Sequence, residues 1–381
     1  MSKIISVTWV KDFVKNVSDG ALHLSQVESL ANAVYGALFS NRLSITAIGR
    51  SLAKRTGRCP KHAIKQVDRL VGNKGIASQE MFRGMCHTAV GPRRKIQVSL
   101  DWTEYDDSDQ SRITINLITK HGRATPLVWL TAVKSRLKNH RTEYEKKALR
   151  LLSDSLPEGI EVIVVADRGF GSIGLFSYIK KKLGWNYIIR IKGIIEFYDE
   201  QHPLGRKTEE LRLVRGGPPR VLRNVLLTHK RHRLEALVAV WDREMKEPWY
   251  LATSLSVAQE LVVKYYSRRF TCEEHYRDEK DDRFGAGSKE TRVGTIERRD
   301  MLTIIHAIAT MILTIVGAAG ERIGYDRRLR ANTEKRRTHS LYRQGKEYVD
   351  GVEIRFLAAF REAIEIIRAE HAQLTELYGV I

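Results

Sequence analysis

Asp101 closes the alternating stretch KIQVSL, and Asp167 closes the apolar run VIVVA, directly before Arg168, Gly169, Phe170 and Gly171. Carboxylates at the ends of strands in an open α/β sheet collect in the crevice where ligands bind. Two that meet there repel each other unless a divalent cation shares them, and hard oxygen donors suit Mg²⁺ or Mn²⁺. Either aspartate alone reads equally well as a turn former or a helix cap. A third component lies in a helix expected over residues 257–283, where Tyr266, Arg269, Glu273 and Lys280 are three, four and seven residues apart. At about 100° per residue they fall within about 60° of one another on the helix surface. That face offers a phenol, a guanidinium, a carboxylate and an ammonium. Its plainest reading is a stripe of buried salt bridges; a metal-ligating Glu flanked by cations for neighbouring phosphates accounts for all four together. Glu104, Asp106, Asp107 and Asp109 read as a solvated turn, and Glu274 and Glu279 as surface residues.

The elements that must carry these residues change period along the chain. Residues 95–101, 112–119 and 127–131 alternate as three consecutive strands, with His121-Gly122 as a turn. A helix over 143–155, a doubly buried strand over 162–166, a helix over 173–183 and a strand over 187–191 follow. A strand meander followed by a βαβ unit indicates an α/β protein built on a mixed sheet. Residues 195–245 interrupt it with short strands (212–214, 221–227, 234–240) around Gly216-Gly217-Pro218-Pro219, and read as a basic, β-rich insertion. Beyond Trp249 the chain turns helical, ending in an amphipathic segment over 352–377. Residues 301–320 carry no Asp, Glu, Lys or Arg. They reach spanning length, but His306 and three threonines favour a buried core helix, so no membrane is expected. The N-terminus shows no secretory signal.

The whole chain has 381 residues and a formal charge of +20, with 43% hydrophobic residues. This is a folded protein with a polyanionic partner, nucleic acid first. Three scattered cysteines (Cys59, Cys86, Cys272) exclude a disulfide framework. Residues 41–95 hold 13 Lys+Arg against Asp68 and Glu80. Within them Ser44 caps a first helix broken at Thr56-Gly57, and Pro60 opens a second that stops at Gly72. Lys61, Lys65 and Arg69 recur on one face of that second helix. A basic helix behind a short turn suits a DNA reader; a solvated surface helix is the alternative.

The spacing Tyr-x2-Arg-x3-Glu-x6-Lys, met in full by Tyr266, Arg269, Glu273 and Lys280, resembles the signature of the insertion-sequence-four family of bacterial DDE transposases. DWT at Asp101 and DRGF at Asp167 look like its other two catalytic blocks. The N-terminal stretch LAKRTGRCPKHAIKQVDRLVGN and the segment KEPWYLATSL are similar to the branch that includes the transposon-ten transposase. The likeness covers nearly the whole chain.

The resemblance implies an α/β, RNase H-like mixed-sheet catalytic core with a β-rich insertion, flanked by an α-helical N-terminal DNA-binding region and a helical C-terminal region. The expected boundaries are 1–92 for the helical DNA-binding domain, 93–194 and 246–325 for the two parts of the core, 195–245 for the insertion, and 326–381 for the C-terminal region. Asp101, Asp167 and Glu273 would bind two Mg²⁺ ions (or Mn²⁺) and drive in-line phosphoryl transfer. Tyr266, Arg269 and Lys280 would hold terminal phosphates, and Trp249 stands where relatives keep a tryptophan that stacks on a flipped base. Implied partners are double-stranded DNA (terminal inverted repeats and target) and a second copy of the chain, in a bacterial cytoplasm at the nucleoid. A metal-dependent nuclease that cuts without joining, a DNA-binding regulator without chemistry and an inactive relative are the rival classes. Arg168 stays outside the catalytic set.

Overall fold

Five helices open the chain: α1 (Val7–Ser18), α2 (Leu24–Leu38), α3 (Ile45–Thr56), α4 (Pro60–Val71) and α5 (Ser78–Val90). The computed structural model describes residues 4–280, 287, 291, 293–335, 337–370 and 376–379, without the side chains of Asp278 and Lys280. The α3–α4 pair starts and stops where cap chemistry requires. Ser44 accepts from the Ala47 amide, Gly57 ends α3 with φ at +72°, and Pro60 occupies the first turn of α4. Gly49 lets α3 lie directly on α4, since a Cβ there would strike the Ile64 backbone.

The centre is a mixed sheet. Strands β1 (Lys95–Tyr105), β2 (Gln110–Leu117) and β3 (Thr125–Val133) form the expected meander, followed by α6 (Arg141–Ser155), β4 (Glu161–Ala166), the short helix α7 (Ile173–Ser177) and β5 (Asn186–Ile191). After them come β6 (Glu196–Tyr198), β7 (Arg206–Lys207), β8 (Arg220–Arg223), β9 (Leu226–Leu227), β10 (His232–Arg233), β11 (Ala236–Val240) and β12 (Trp249–Thr253). Among the described residues the main sheet has eight strands in the order β3-β2-β1-β4-β5-β12-β11-β8; β4 runs parallel to β1 and to β5, and the remaining pairs are antiparallel. A second sheet, β10-β9-β6-β7, has four short strands. The chain between β5 and β12 is therefore divided. β8 and β11 extend the main sheet, whereas the short strands stand apart. Residues 212–214, expected as a strand, are irregular, with Arg212 at φ +45°.

Both faces of the sheet are covered, and β4 shows how. Val162, Val164 and Ala166 join the core under the N-terminal helices, α6 and α10 (Ile296–Arg322), while Ile163 and Val165 join the core under α8 (Gln259–Ser267) and α9 (Phe270–Lys280). Strand alternation sends neighbouring residues to opposite faces, and a strand buried on both must be apolar throughout. The uncharged stretch 301–320 lies in α10, a helix long and apolar enough to cross a membrane but with 94% of its most apolar window buried inside the protein.

α10 packs against α11 (Leu341–Asp350), with α12 (Leu357–Ala369) beside it. Backbone meets backbone at two glycines: a Cβ on Gly317 would collide with the Leu341 carbonyl, and one on Gly345 with the Leu313 carbonyl. Gly345→Ala is expected to cost about 1–3 kcal/mol by overpacking. Urea unfolding reads this directly, and an unchanged midpoint would contradict so close an approach.

One expectation fails for a physical reason. The helix expected over 257–283 breaks between α8 and α9, where Arg269 N bonds to Tyr266 O, Thr271 N to Arg268 O and Cys272 N to Arg269 O. These three-residue bonds tighten the turn, so the helical-wheel angles do not carry across it. Of the amphipathic segment expected over 352–377, α12 and a helical turn at 376–378 are described and residues 371–375 lie outside the described residues; α11 falls in the region expected to be helical beyond Trp249.

Candidate active site

Asp101 and Asp167 leave neighbouring parallel strands at the same level. The β1–β4 register runs to Leu100 opposite Ala166; Asp101 is the next residue of β1, and Asp167 is the first residue past β4. Asp101 does not end β1, as the sequence suggested. Trp102–Tyr105 continue it by pairing with β2, so the strand ends only with respect to β4. By the two-residue period Asp101 shares a face with Gln97 and Ser99, whose side chains bond to the Tyr265 carbonyl and to Cys272 Sγ. Asp167 shares that face with Ile163 and Val165. Both carboxylates thus point to the side that α8 and α9 cover.

The inner face of α9 is built from polar groups. Cys272 meets Ser99 of β1, the Tyr276 hydroxyl accepts from Asn116 Nδ2 of β2 at 2.7 Å, and Glu279 meets Arg112 of β2. Residues 272, 276 and 279 recur at helical spacing, which leaves Glu273 off that inner face, 44% exposed, with its charge still felt at Asp101. Arg269, only 8% exposed, donates from Nη2 to Glu273 Oε1 at 2.5 Å. Burial alone would lower its pKa, but Tyr266, Asp167, Glu273 and Asp101 raise it well above the usual arginine value, so it stays charged. Tyr266, fully buried, donates its hydroxyl to Asp167 Oδ1 at 3.3 Å.

Asp101 is pushed up to about 6, first by burial and then by the charges of Asp167 and Glu273, against the opposing pull of Arg269 and a hydrogen bond from the Trp102 amide. The structure therefore brings Asp101, Asp167 and Glu273 within electrostatic reach around one guanidinium. Three carboxylates offering hard oxygen donors, with Asp101 destabilised in its charged form, fit Mg²⁺ or Mn²⁺. Of the other expected residues, Lys280 ends α9, and its side chain lies outside the described residues.

Trp249, first residue of β12, is 8% exposed and packs edge-on against Tyr266 with ring centroids 4.8 Å apart. Phe270, 6.1 Å from it and 49% exposed, is the open aromatic face beside the site. Lys61, Lys65 and Arg69 are all exposed on α4. Lys65 and Arg69 line an open cleft of about 520 Å³ with Ser25, Ser29 and His62.

Sequence reasoning missed three groups. Arg190 and Glu247 stand next to Asp167: Arg190 Nη1 is 3.8 Å from Asp167 Oδ1, and Glu247 bonds both Arg190 and Arg168. The signal for Arg190 was its place as the lone charge in the strand NYIIRI. Glu279, read as a surface residue, is 2% exposed and ion-paired with Arg112 at 2.7 Å. Among the described residues, His275, Glu279 and His306 have potential ligand atoms within 4.8 Å of one another. Both Glu279 oxygens are already engaged, by Arg112 and by the Tyr105 hydroxyl at 2.9 Å. Burial holds His306 down to about 4, hence neutral. That chemistry is a buried ion pair with polar neighbours rather than a cation centre.

Residues 130–311 match the family model described as "Transposase DDE domain". The match contains Asp167 and Glu273 and begins after Asp101; it supports a DDE transposase family for the chain. No curated protein matches the chain.

Proposed function

With a transposase DDE domain as the premise, we propose that this protein is a cut-and-paste DNA transposase of the insertion-sequence-four type. It binds terminal inverted repeats, cleaves the strands at the element ends and joins them to target DNA. The observation that carries the reading is the placement of Asp101 and Asp167 one residue beyond the Leu100–Ala166 pair, with Glu273 presented opposite by α9. The sheet order β3-β2-β1-β4-β5, with β1, β4 and β5 parallel, supports an RNase H-like core.

Asp101, Asp167 and Glu273 would hold two Mg²⁺ ions, which when bound supply a nucleophilic oxygen and stabilise the leaving oxygen. The remaining roles fall to the chain's own groups. Arg269, kept charged and donating to Glu273, is placed to take a terminal phosphate with its remaining donors. Tyr266 fixes the rotamer of Asp167 through its hydroxyl. The open face of Phe270, stacked on the buried Trp249 and backed through it by Tyr266, offers an aromatic platform for an unstacked base, as a hairpin intermediate needs. The exposed basic face of α4 reads the ends, and a second copy of the chain completes a paired-end complex in the cytoplasm of a bacterial host.

The test incubates purified protein and Mg²⁺ with DNA carrying the element's inverted repeats and a separate target. Cleaved ends and covalently joined product are expected. Cleavage without joining favours a nuclease, and binding without cleavage a regulator. For the reader helix, Lys65→Ala and Arg69→Ala are each expected to lower the slope of log affinity against log salt by about 0.9, one phosphate contact apiece. Unchanged slopes would remove α4 from the DNA interface.

A further inference from the structure

One carboxylate holds two guanidiniums beside Asp167. Glu247 lies in the turn joining β11 to β12; its Oε1 accepts from Arg190 Nη2 at 2.8 Å and its Oε2 from Arg168 Nη1 at 3.1 Å. Arg190 is tied down further, with Nη2 3.3 Å from the Pro248 carbonyl and Nη1 3.8 Å from Asp167 Oδ1. Its Nε is buried with no hydrogen-bond partner among the described residues.

We propose that Arg168 and Arg190 form a phosphate subsite for the DNA strand at Asp167, and that in the DNA-free protein Glu247 fills it as an internal substitute for that phosphate. The inference rests on the DNA-cleaving reading above. Three observations support it. A carboxylate bridging two guanidiniums occupies the place that a phosphate takes between paired arginines. Accessibility is graded: the side chains of Glu247 and Arg168 are 50% and 49% exposed, while that of Arg190 is 12% exposed. A ligand can therefore reach the pair, and one of its guanidiniums is already fixed. Finally, the spare Arg190 donor has no use in the present arrangement, whereas a phosphate brings more acceptor oxygens than a carboxylate.

Releasing Glu247 from Arg168 is cheap, because that pair is exposed and exposed ion pairs hold weakly, and an incoming phosphate replaces the Glu247 contact to Arg190. It also removes a negative charge from the approach path of a polyanion. A purely structural role, pinning the β11–β12 turn, would make the opposite forecast: loss of Glu247 would loosen the site and weaken binding.

The experiment measures equilibrium binding of end-bearing duplex DNA, without metal, over a range of salt concentrations. Glu247→Gln keeps the shape and removes the charge; its affinity is expected to rise about threefold to fivefold with an unchanged melting temperature. Arg168→Gln and Arg190→Gln should each weaken binding and lower the salt slope by about 0.9. Glu247→Gln added to the Arg168→Gln/Arg190→Gln double variant should raise affinity much less than it does in the wild type, leaving only the relief of long-range repulsion. An E247Q protein that melts like wild type and binds equally or more weakly overturns the inference alone. A wild-type protein that binds no DNA overturns the DNA reading, and this inference with it.

Discussion

Glu279→Gln is expected to cost about 3–5 kcal/mol of folding stability, because it leaves the Arg112 guanidinium buried without a counter-charge. Both side chains are 3% exposed, and the pair closes at 2.7 Å. Arg112 also donates to Thr303 Oγ1 at 2.9 Å and to Thr114 Oγ1 at 3.1 Å, while the Tyr105 hydroxyl reaches the other Glu279 oxygen. The network thus ties β1, β2, α9 and α10 together at one point. Arg112→Met should cost a similar amount, and Arg112→Met combined with Glu279→Leu should recover much of it, because a buried pair replaced as a pair leaves no orphaned charge.

The pH dependence has a definite sign. Burial alone would raise the Glu279 pKa, but the Arg112 charge and hydrogen bond hold it well below the usual range. Its contribution is therefore present above the unfolded value of about 4.3 and is lost as pH falls below it. Urea unfolding at pH 7 and pH 3 measures both effects. An E279Q midpoint equal to wild type at pH 7 would show that the pair does not hold α9.

Asp101→Asn, Asp167→Asn and Glu273→Gln should each lower the rate of strand cleavage by about 10³-fold or more while DNA binding persists. The amides keep size and hydrogen bonding but lose the charge that would hold a divalent cation. Their positions make gross unfolding unexpected: Asp101 is half-buried, the Asp167 side chain is 37% exposed and that of Glu273 44%. Removing the Asp101 charge should even relieve repulsion, since burial and its two acidic neighbours raise its pKa. Cleavage at wild-type rate by any one variant would exclude that residue from the chemistry, and loss of binding in step with loss of cleavage would point to a structural role.

How far these features could be read from the sequence follows from whether each signal is local. The ends of α3 and α4 were readable because Ser44, Gly57 and Pro60 act within a few residues of themselves. β4 was readable because a strand buried on both faces has to be continuously apolar. The continuation of β1 past Asp101 was not, because Trp102–Tyr105 are ordered by the register Tyr105–Gln110 with β2 rather than by their own polarity. The same holds for Glu279: its partner Arg112 lies 167 residues away, and a charged residue in a charged helix looks solvated. The inner face of α9, made of Cys272, Tyr276 and Glu279, carries almost no hydrophobic pattern, so neither its burial nor the break before it showed in the periodicity. Arg190 in β5 and Glu247 in the turn before β12 meet only once β5 and β12 pair. The identities of Asp101, Asp167 and Glu273 were visible as residue types at strand and helix positions. Their convergence depends on the β1–β4 register and on the polar seat of α9.

The central claim is that these carboxylates act by holding a divalent cation during DNA cleavage. Asp167→Cys tests it most directly, because it exchanges a hard oxygen donor for a soft sulfur at one position. Cleavage of end-bearing DNA by this variant is compared in Mg²⁺ and in Mn²⁺, with melting temperature and DNA binding as controls. The expected result is no cleavage in Mg²⁺ and cleavage restored in Mn²⁺. Cleavage in Mg²⁺ at the wild-type rate, or none in either metal by a folded, DNA-binding protein, would contradict the claim.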